Sequence, residues 1–155
     1  MAEIPHRQLA VDLFNHVWTL LEAAERTPEQ VDELIHAAHA SRHHWAHAGT
    51  TINLARGEWQ CSRVYAVLGR AEPALWHAQR CLAYVEAADD AADWDLPFAF
   101  EALARAYELA GDEDRARREA VRARELAQDV ADDEDREHLL AELADLPDEP
   151  VDLTD

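Results

Sequence analysis

Residues 56–86 read RGEWQCSRVYAVLGRAEPALWHAQRCLAYVE, and their pattern returns further along the chain. Setting Gly69 on Gly111, an offset of 42 residues, places Tyr65 on Tyr107, Ala74 on Ala116, Ala78 on Ala120 and Cys81 on Ala123. Each copy joins an apolar helical stripe to a glycine turn and then to a second helix with small inward side chains. Small residues at that spacing let two helices cross closely, so the repeated unit is a tight helical hairpin.

A tyrosine four residues before a turn glycine, with small residues five, nine and twelve after it, resembles the tetratricopeptide repeat (TPR). The resemblance spans residues 56–127. The blocks 36–42 and 56–65 are also similar to short bacterial TPR-like proteins, and together these likenesses supply a fold and no reaction. They imply an all-α chain, a right-handed TPR-like α-α superhelix of about three helical hairpins with a C-terminal capping helix. The chain departs from the repeat in its spacing of 42 residues against about 34. Ser62 also stands where the repeat has glycine or alanine, and Glu58 where it has an aromatic.

Working outward, residues 5–24 place Leu9, Leu13, Phe14, Val17, Trp18, Leu20 and Leu21 at helical spacing. Thr27-Pro28-Glu29-Gln30 carries the marks of a helix start: a threonine cap, proline in the first turn and glutamine positioned to close a capping box. That second helix is expected to end at Gly49. A third runs from Thr50 or Thr51 to Leu68, a fourth opens at Glu72-Pro73, a fifth at Asp95-Leu96-Pro97, and a sixth follows Gly111-Asp112. Asp133 to Leu146 is expected to form a last helix whose Leu139, Leu140 and Leu143 cover the open end of the stack. One domain over residues 1–147 and an acidic disordered tail over 148–155 complete the expected layout.

The chain has 155 residues, 48% of them hydrophobic, and a formal net charge of −19. Such a charge repels a phosphate backbone and argues against nucleic acid as a partner. Eleven acids against Arg136 alone fall in residues 131–155. No stretch is long and apolar enough to cross a membrane, and the first residues lack the apolar core of an export signal, which predicts a cytoplasmic protein without a membrane partner. Cys61 and Cys81 fall on apolar helix faces and read as small core residues.

Two constellations carry chemistry. His36, His39, His43, His44 and His47 crowd the second helix, and at about 100° per residue His36, His39, His43 and His47 share one stripe with Glu29 and Asp32. Histidines at that spacing can converge on a divalent transition metal, with His16 or Glu58 from a neighbouring helix completing the set. The competing reading is a polar surface.

The second constellation follows from the repeat resemblance, which places Arg56, Trp59, Arg63 and Ala66, then Phe98, Glu101, Arg105 and Glu108, on the inner face of the superhelix. Guanidinium groups form bidentate bonds to carboxylates and phosphates, so Arg56, Trp59, Arg63, Glu101 and Arg105 are expected to line a concave groove. The competing reading neutralises the arginines with nearby acids.

Two functions follow as expectations. One is a non-catalytic binding module holding a peptide, a protein segment or a small acidic ligand in the groove, with a homo-oligomer left open. The other is a metal-dependent enzyme using His36, His39 and His43, with Glu58 as ligand or base and the arginines fixing an anionic substrate. No glycine-rich phosphate loop and no nucleophile motif accompanies either.

Overall fold

The computed structural model describes residues 2–148, so residues 149–155, nearly all of the expected tail, lie outside the described residues. Within them the chain folds into seven helices and no strand: α1 (His6–Glu22), α2 (Pro28–Ala48), α3 (Thr51–Val67), α4 (Ala71–Ala87), α5 (Asp95–Leu109), α6 (Glu113–Ala127) and α7 (Asp133–Leu143). No helix among them is long and apolar enough to cross a membrane.

The helix boundaries have local causes. The Gln30 N–H donates to Thr27 Oγ1 at 3.2 Å and the Thr27 N–H donates to Gln30 Oε1 at 2.8 Å, which closes the expected capping box at the start of α2. Asp112 and Asp132 accept the backbone N–H groups of Arg115 and Asp135 at 3.2 and 2.9 Å, capping α6 and α7.

The repeated glycines end α3 and α5 in the same way. Gly69 and Gly111 have φ values of +72° and +78°. Beyond each, the next N–H turns back, Arg70 to the Tyr65 carbonyl at 2.9 Å and Asp112 to the Tyr107 carbonyl at 3.0 Å. This is the Schellman closure, in which a glycine supplies the left-handed conformation and the carbonyl three residues before the cap accepts the returning bond. The four-residue spacing from tyrosine to glycine is thus the length of a helix C-terminus.

Consecutive helices lie against one another. The backbones of α1, α3 and α5 also approach in succession, whereas among the described residues the backbones of α2 and α4 come close only to their chain neighbours and α2 reaches α4 through side chains. Small residues make the hairpins close: Ala74 and Ala78 of α4 and Ala116, Ala120, Ala123 and Ala127 of α6 are fully buried. Ser62 Oγ donates to the Ala74 carbonyl at 2.8 Å, so the residue that departs from the repeat pattern satisfies its hydroxyl within the α3–α4 contact. Gly57 lies where a Cβ would meet Arg42 Cδ of α2 at 3.0 Å, which gives that helix-interior glycine a packing role.

Helix α7 packs on α6 and α5. It stops at Leu143, three residues short of the expected end, and Leu140 is 43% exposed where a covering role was expected. Leu139 and Leu143 are buried completely and Leu146 nearly so, joining Phe100, Leu103 and Val130 in one core. Burying a leucine side chain stabilises by about 1.5–3 kcal/mol, so these residues hold a short helix that would not persist alone.

Candidate functional site

A cavity of about 320 Å³ opens where α1, α3, α4, α5 and α7 meet. Phe14 and Trp18 enter it from α1, Trp59 from α3, Trp94 and Phe98 from the start of α5, and Ala55, Cys81 and Val85 form its floor. The rings touch in series: Trp18 to Trp59 at 5.5 Å between centroids, Trp59 to Phe98 edge-on at 5.8 Å, and Phe98 to Trp94 edge-on at 6.2 Å. Edge-to-face and tilted contacts at these separations are the favoured aromatic geometries and make the walls stiff. Among the described residues the buried Trp59 Nε1 has no hydrogen-bond partner.

The polar rim is sparse. Arg56 donates from Nε and Nη2 to the two oxygens of Asp95 at 3.0 and 2.8 Å, and its guanidinium lies 4.5 Å from the Trp94 ring centre. The Ala92 N–H also donates to Asp95 Oδ2 at 2.8 Å. Asp135 and His138, one turn apart on α7, complete the wall, with the His138 ring 5.7 Å from Phe98.

The remaining groove residues lie next door, against the C-terminal end of α7. Arg63 Nη2 donates to Glu142 Oε2 at 2.5 Å, and Arg63 Nη1 stands 3.6 Å from Glu101 Oε1. Arg105 donates to Glu101 at 2.7 Å, to the Glu142 carbonyl at 2.6 Å and to Asp145 at 3.2 Å. Glu101 is 1% exposed; burial pushes its carboxyl up, and the charges of Arg105 and Arg63 oppose that rise. The crevice between Trp59, Arg63, Glu101 and Arg105 holds no space for a water molecule. The expected five-residue groove therefore divides: Arg56 and Trp59 reach an open cavity, while Arg63, Glu101 and Arg105 form an ionic seat for α7. Trp59 is the wall between the two.

The histidines divide as well. His39 Nε2 meets the Tyr65 hydroxyl at 2.8 Å, and its ring lies 5.2 Å from that of His77. His77 Nδ1 meets Glu58 Oε2 at 2.6 Å, and Arg42 Nε donates to Glu58 Oε1 at 2.9 Å. This network fills the gap between α2 and α4 with Glu58 of α3 at its centre. Burial alone would raise the Glu58 carboxyl, but the hydrogen bond and charge of His77 and then Arg42 outweigh it and hold it below its ordinary value. Burial, then His77, lowers His39 and favours its neutral form, with Glu58 opposing.

His43 belongs to a different group at the far end of α2, 5.1 Å from His47, while His6 of α1 stacks on His47 at 4.3 Å and shares a 2.9 Å contact with His44. His36 is exposed, and His16 pairs with Glu33 at 3.3 Å. The three expected ligands His36, His39 and His43 are thus drawn to different surroundings, and among the described residues no three His, Cys, Asp or Glu side chains are grouped to hold a metal ion. Periodicity placed them on one stripe. It carried no information on Tyr65, which takes His39 inward, or on His6, which lies beside His44 and His47.

Both cysteines are buried thiols without activation: burial pushes Cys61 up to about 12, and Cys81 is raised further by the same cause. Sequence reasoning missed Phe14, Trp18, Asp135 and His138 as cavity residues. A signal existed in the aromatic pairs Phe14/Trp18 and Trp94/Phe98, each spaced four apart so that both rings leave one helix face.

No family model, curated protein or solved structure matches the chain.

Proposed function

We propose that this protein is a non-catalytic, TPR-like binding module whose ligand seats an apolar or aromatic group in the tryptophan-lined cavity. The approach of α1 to α3 and of α3 to α5, beside the contacts between consecutive helices, supports a short superhelix with first helices on its inner face. The observation that carries the binding reading is the cavity itself. It is the size of a small-molecule site, its walls are aromatic and pre-formed, and its wall residue Trp59 has a buried donor without an acceptor among the described residues.

The arginines bear on ligand chemistry. Arg56, Arg63 and Arg105 each face carboxylates already, on Asp95, Glu101, Glu142 and Asp145. An acidic ligand would have to displace those partners, whereas an apolar group enters a space already present. A metal-dependent reaction has weaker support, because His36, His39 and His43 face three different surroundings.

The test is a titration with indole, a neutral ring of suitable size, followed by heteronuclear NMR. The side-chain N–H resonances of Trp18, Trp59 and Trp94 should shift together and saturably, and Phe98→Ala should weaken the effect by about tenfold, as loss of a large aromatic contact does. Shifts confined to Trp45 and Trp76, or none, would overturn the reading.

A further inference from the structure

We infer that the cavity selects a basic aromatic ligand, a flat ring carrying a protonated amine, with Asp135 as the counter-ion. This rests on the proposed binding function and assigns the ligand's charge and the residue that reads it.

The charges around one opening do not cancel. Five titratable or charged side chains face the cavity, Arg56, Cys81, Asp95, Asp135 and His138, and burial keeps the Cys81 thiol protonated. Arg56 and Asp95 cancel, joined by two hydrogen bonds of 3.0 and 2.8 Å, and Asp95 is further held by the Ala92 N–H. The neighbouring basic residue on α7, Arg136, is engaged by Asp133 at 2.5 Å and by the Val130 carbonyl at 2.9 Å. Among the described residues Asp135 has no such partner: its backbone N–H is taken by the Asp132 cap, and no donor of those residues, His138 one turn on included, lies within hydrogen-bond or ion-pair distance of its carboxylate.

One uncompensated carboxylate therefore stands at the edge of an aromatic chamber, in a chain whose net charge of −19 already repels anions. A ring between Trp18, Trp59 and Phe98 fills the apolar part. An ammonium on a short stem reaches the α7 side, where Asp135 accepts its proton-bearing face and the ring quadrupoles add attraction. A carboxylate on the same stem would meet Asp135 with like charge and would find Arg56 committed to Asp95.

Three probes share one ring and differ in charge: indole, tryptamine and indole-3-acetate, each titrated by NMR into wild type, Asp135→Asn and the control Glu134→Gln. Glu134 is an exposed neighbour in the same helical turn that does not line the cavity, so its variant removes the same charge from the same region. In wild type, tryptamine should bind about tenfold more tightly than indole, the effect of one charge-assisted hydrogen bond, and indole-3-acetate more weakly than indole. In Asp135→Asn, tryptamine should fall to the indole level with indole unchanged, while Glu134→Gln should keep the preference.

If indole binds and tryptamine gains nothing, the assigned charge is wrong although the pocket stands. If tryptamine keeps its advantage in Asp135→Asn, the overall field supplies it and the assignment to Asp135 is overturned. If none of the three binds, the binding function itself fails and takes this inference with it.

Discussion

Arg63 of α3 and Glu142 of α7 meet at 2.5 Å although 79 residues separate them in the chain. Arg63 also faces the buried Glu101, and Arg105 grips Glu101, Glu142 and Asp145 together. Two arginines and three acids thus tie the last helix to the inner side of the third and fifth. The same helix presents Asp135 and His138 to the cavity, so the ionic seat at one end positions the wall at the other.

Removing one partner of a buried ion pair leaves the other charged and desolvated. Arg105→Ala should therefore lower stability by about 3 kcal/mol, since Glu101 would keep only the longer contact to Arg63. Replacing the pair together, Glu101→Leu with Arg105→Met, should restore most of that loss. Urea unfolding of the single and double variants reads both numbers, and a double variant as unstable as the single would reject the argument.

Gly69→Ala and Gly111→Ala should each cost about 1 kcal/mol or slightly more. Nothing lies within 4 Å of an added Cβ at either site, so the whole cost is backbone strain at positive φ. Thermal melts should show equal losses at the two positions, because both glycines close the same kind of helix end.

Gly57→Ala should behave differently. The alanine favours helix by about 1 kcal/mol, but its Cβ would meet Arg42 Cδ at 3.0 Å and Arg42 Cα at 3.4 Å. Arg42 is held by Glu58, so it yields poorly, and overpacking of this kind costs about 1–3 kcal/mol. A net loss near 1 kcal/mol is expected, and shortening the obstacle in Gly57→Ala/Arg42→Ala should make the two changes non-additive in denaturant titrations.

The histidine network predicts a pH dependence. His39 is lowered from 6.5 in the folded chain, so below that value the unfolded chain binds the proton more readily and stability falls as pH decreases. Glu58 is lowered from 4.5, so its contribution is complete above that value and fades only as pH drops through the still lower folded value. The first losses on acidification therefore belong to the histidines lowered from 6.5, His39 and also His6, and precede that of Glu58. Melting temperatures taken between about pH 7 and pH 5 should decline less steeply in His39→Gln, which keeps a hydrogen bond to Tyr65 but does not titrate. Parallel profiles would remove His39 as the cause.

Much of the helical framework was legible from residue order. The tyrosine-to-glycine spacing foretold two glycine turns, whose Schellman closure the structure supplied, and Thr27 with Gln30 marked the start of α2 to the residue. The buried alanines of α4 and α6 followed from their spacing. These are local facts, each settled within a turn or two of helix. The pairing of the groove was local only between Arg105 and Glu101, one helical turn apart. Arg56 meets Asp95 across 39 residues and Arg105 meets Asp145 across 40, while the acids nearest in sequence, Glu58 and Glu108, are not their partners. Helical periodicity states which face a side chain leaves from. It does not state which other face arrives there.

By itself the sequence determined an all-helical chain, the bounds of its hairpins and the inward positions of their small residues, because capping, glycine conformation and 3.6-residue periodicity act over short distances. Tertiary packing alone decided that α7 would occupy the arginine seat, that His39 would turn inward to Tyr65 while His43 stayed with His47, and that rings from α1, α3 and α5 would enclose a cavity. The cause is physical: the burial of charge forces each arginine to find a carboxylate wherever the fold delivers one, and that delivery depends on the relative placement of helices far apart in the chain.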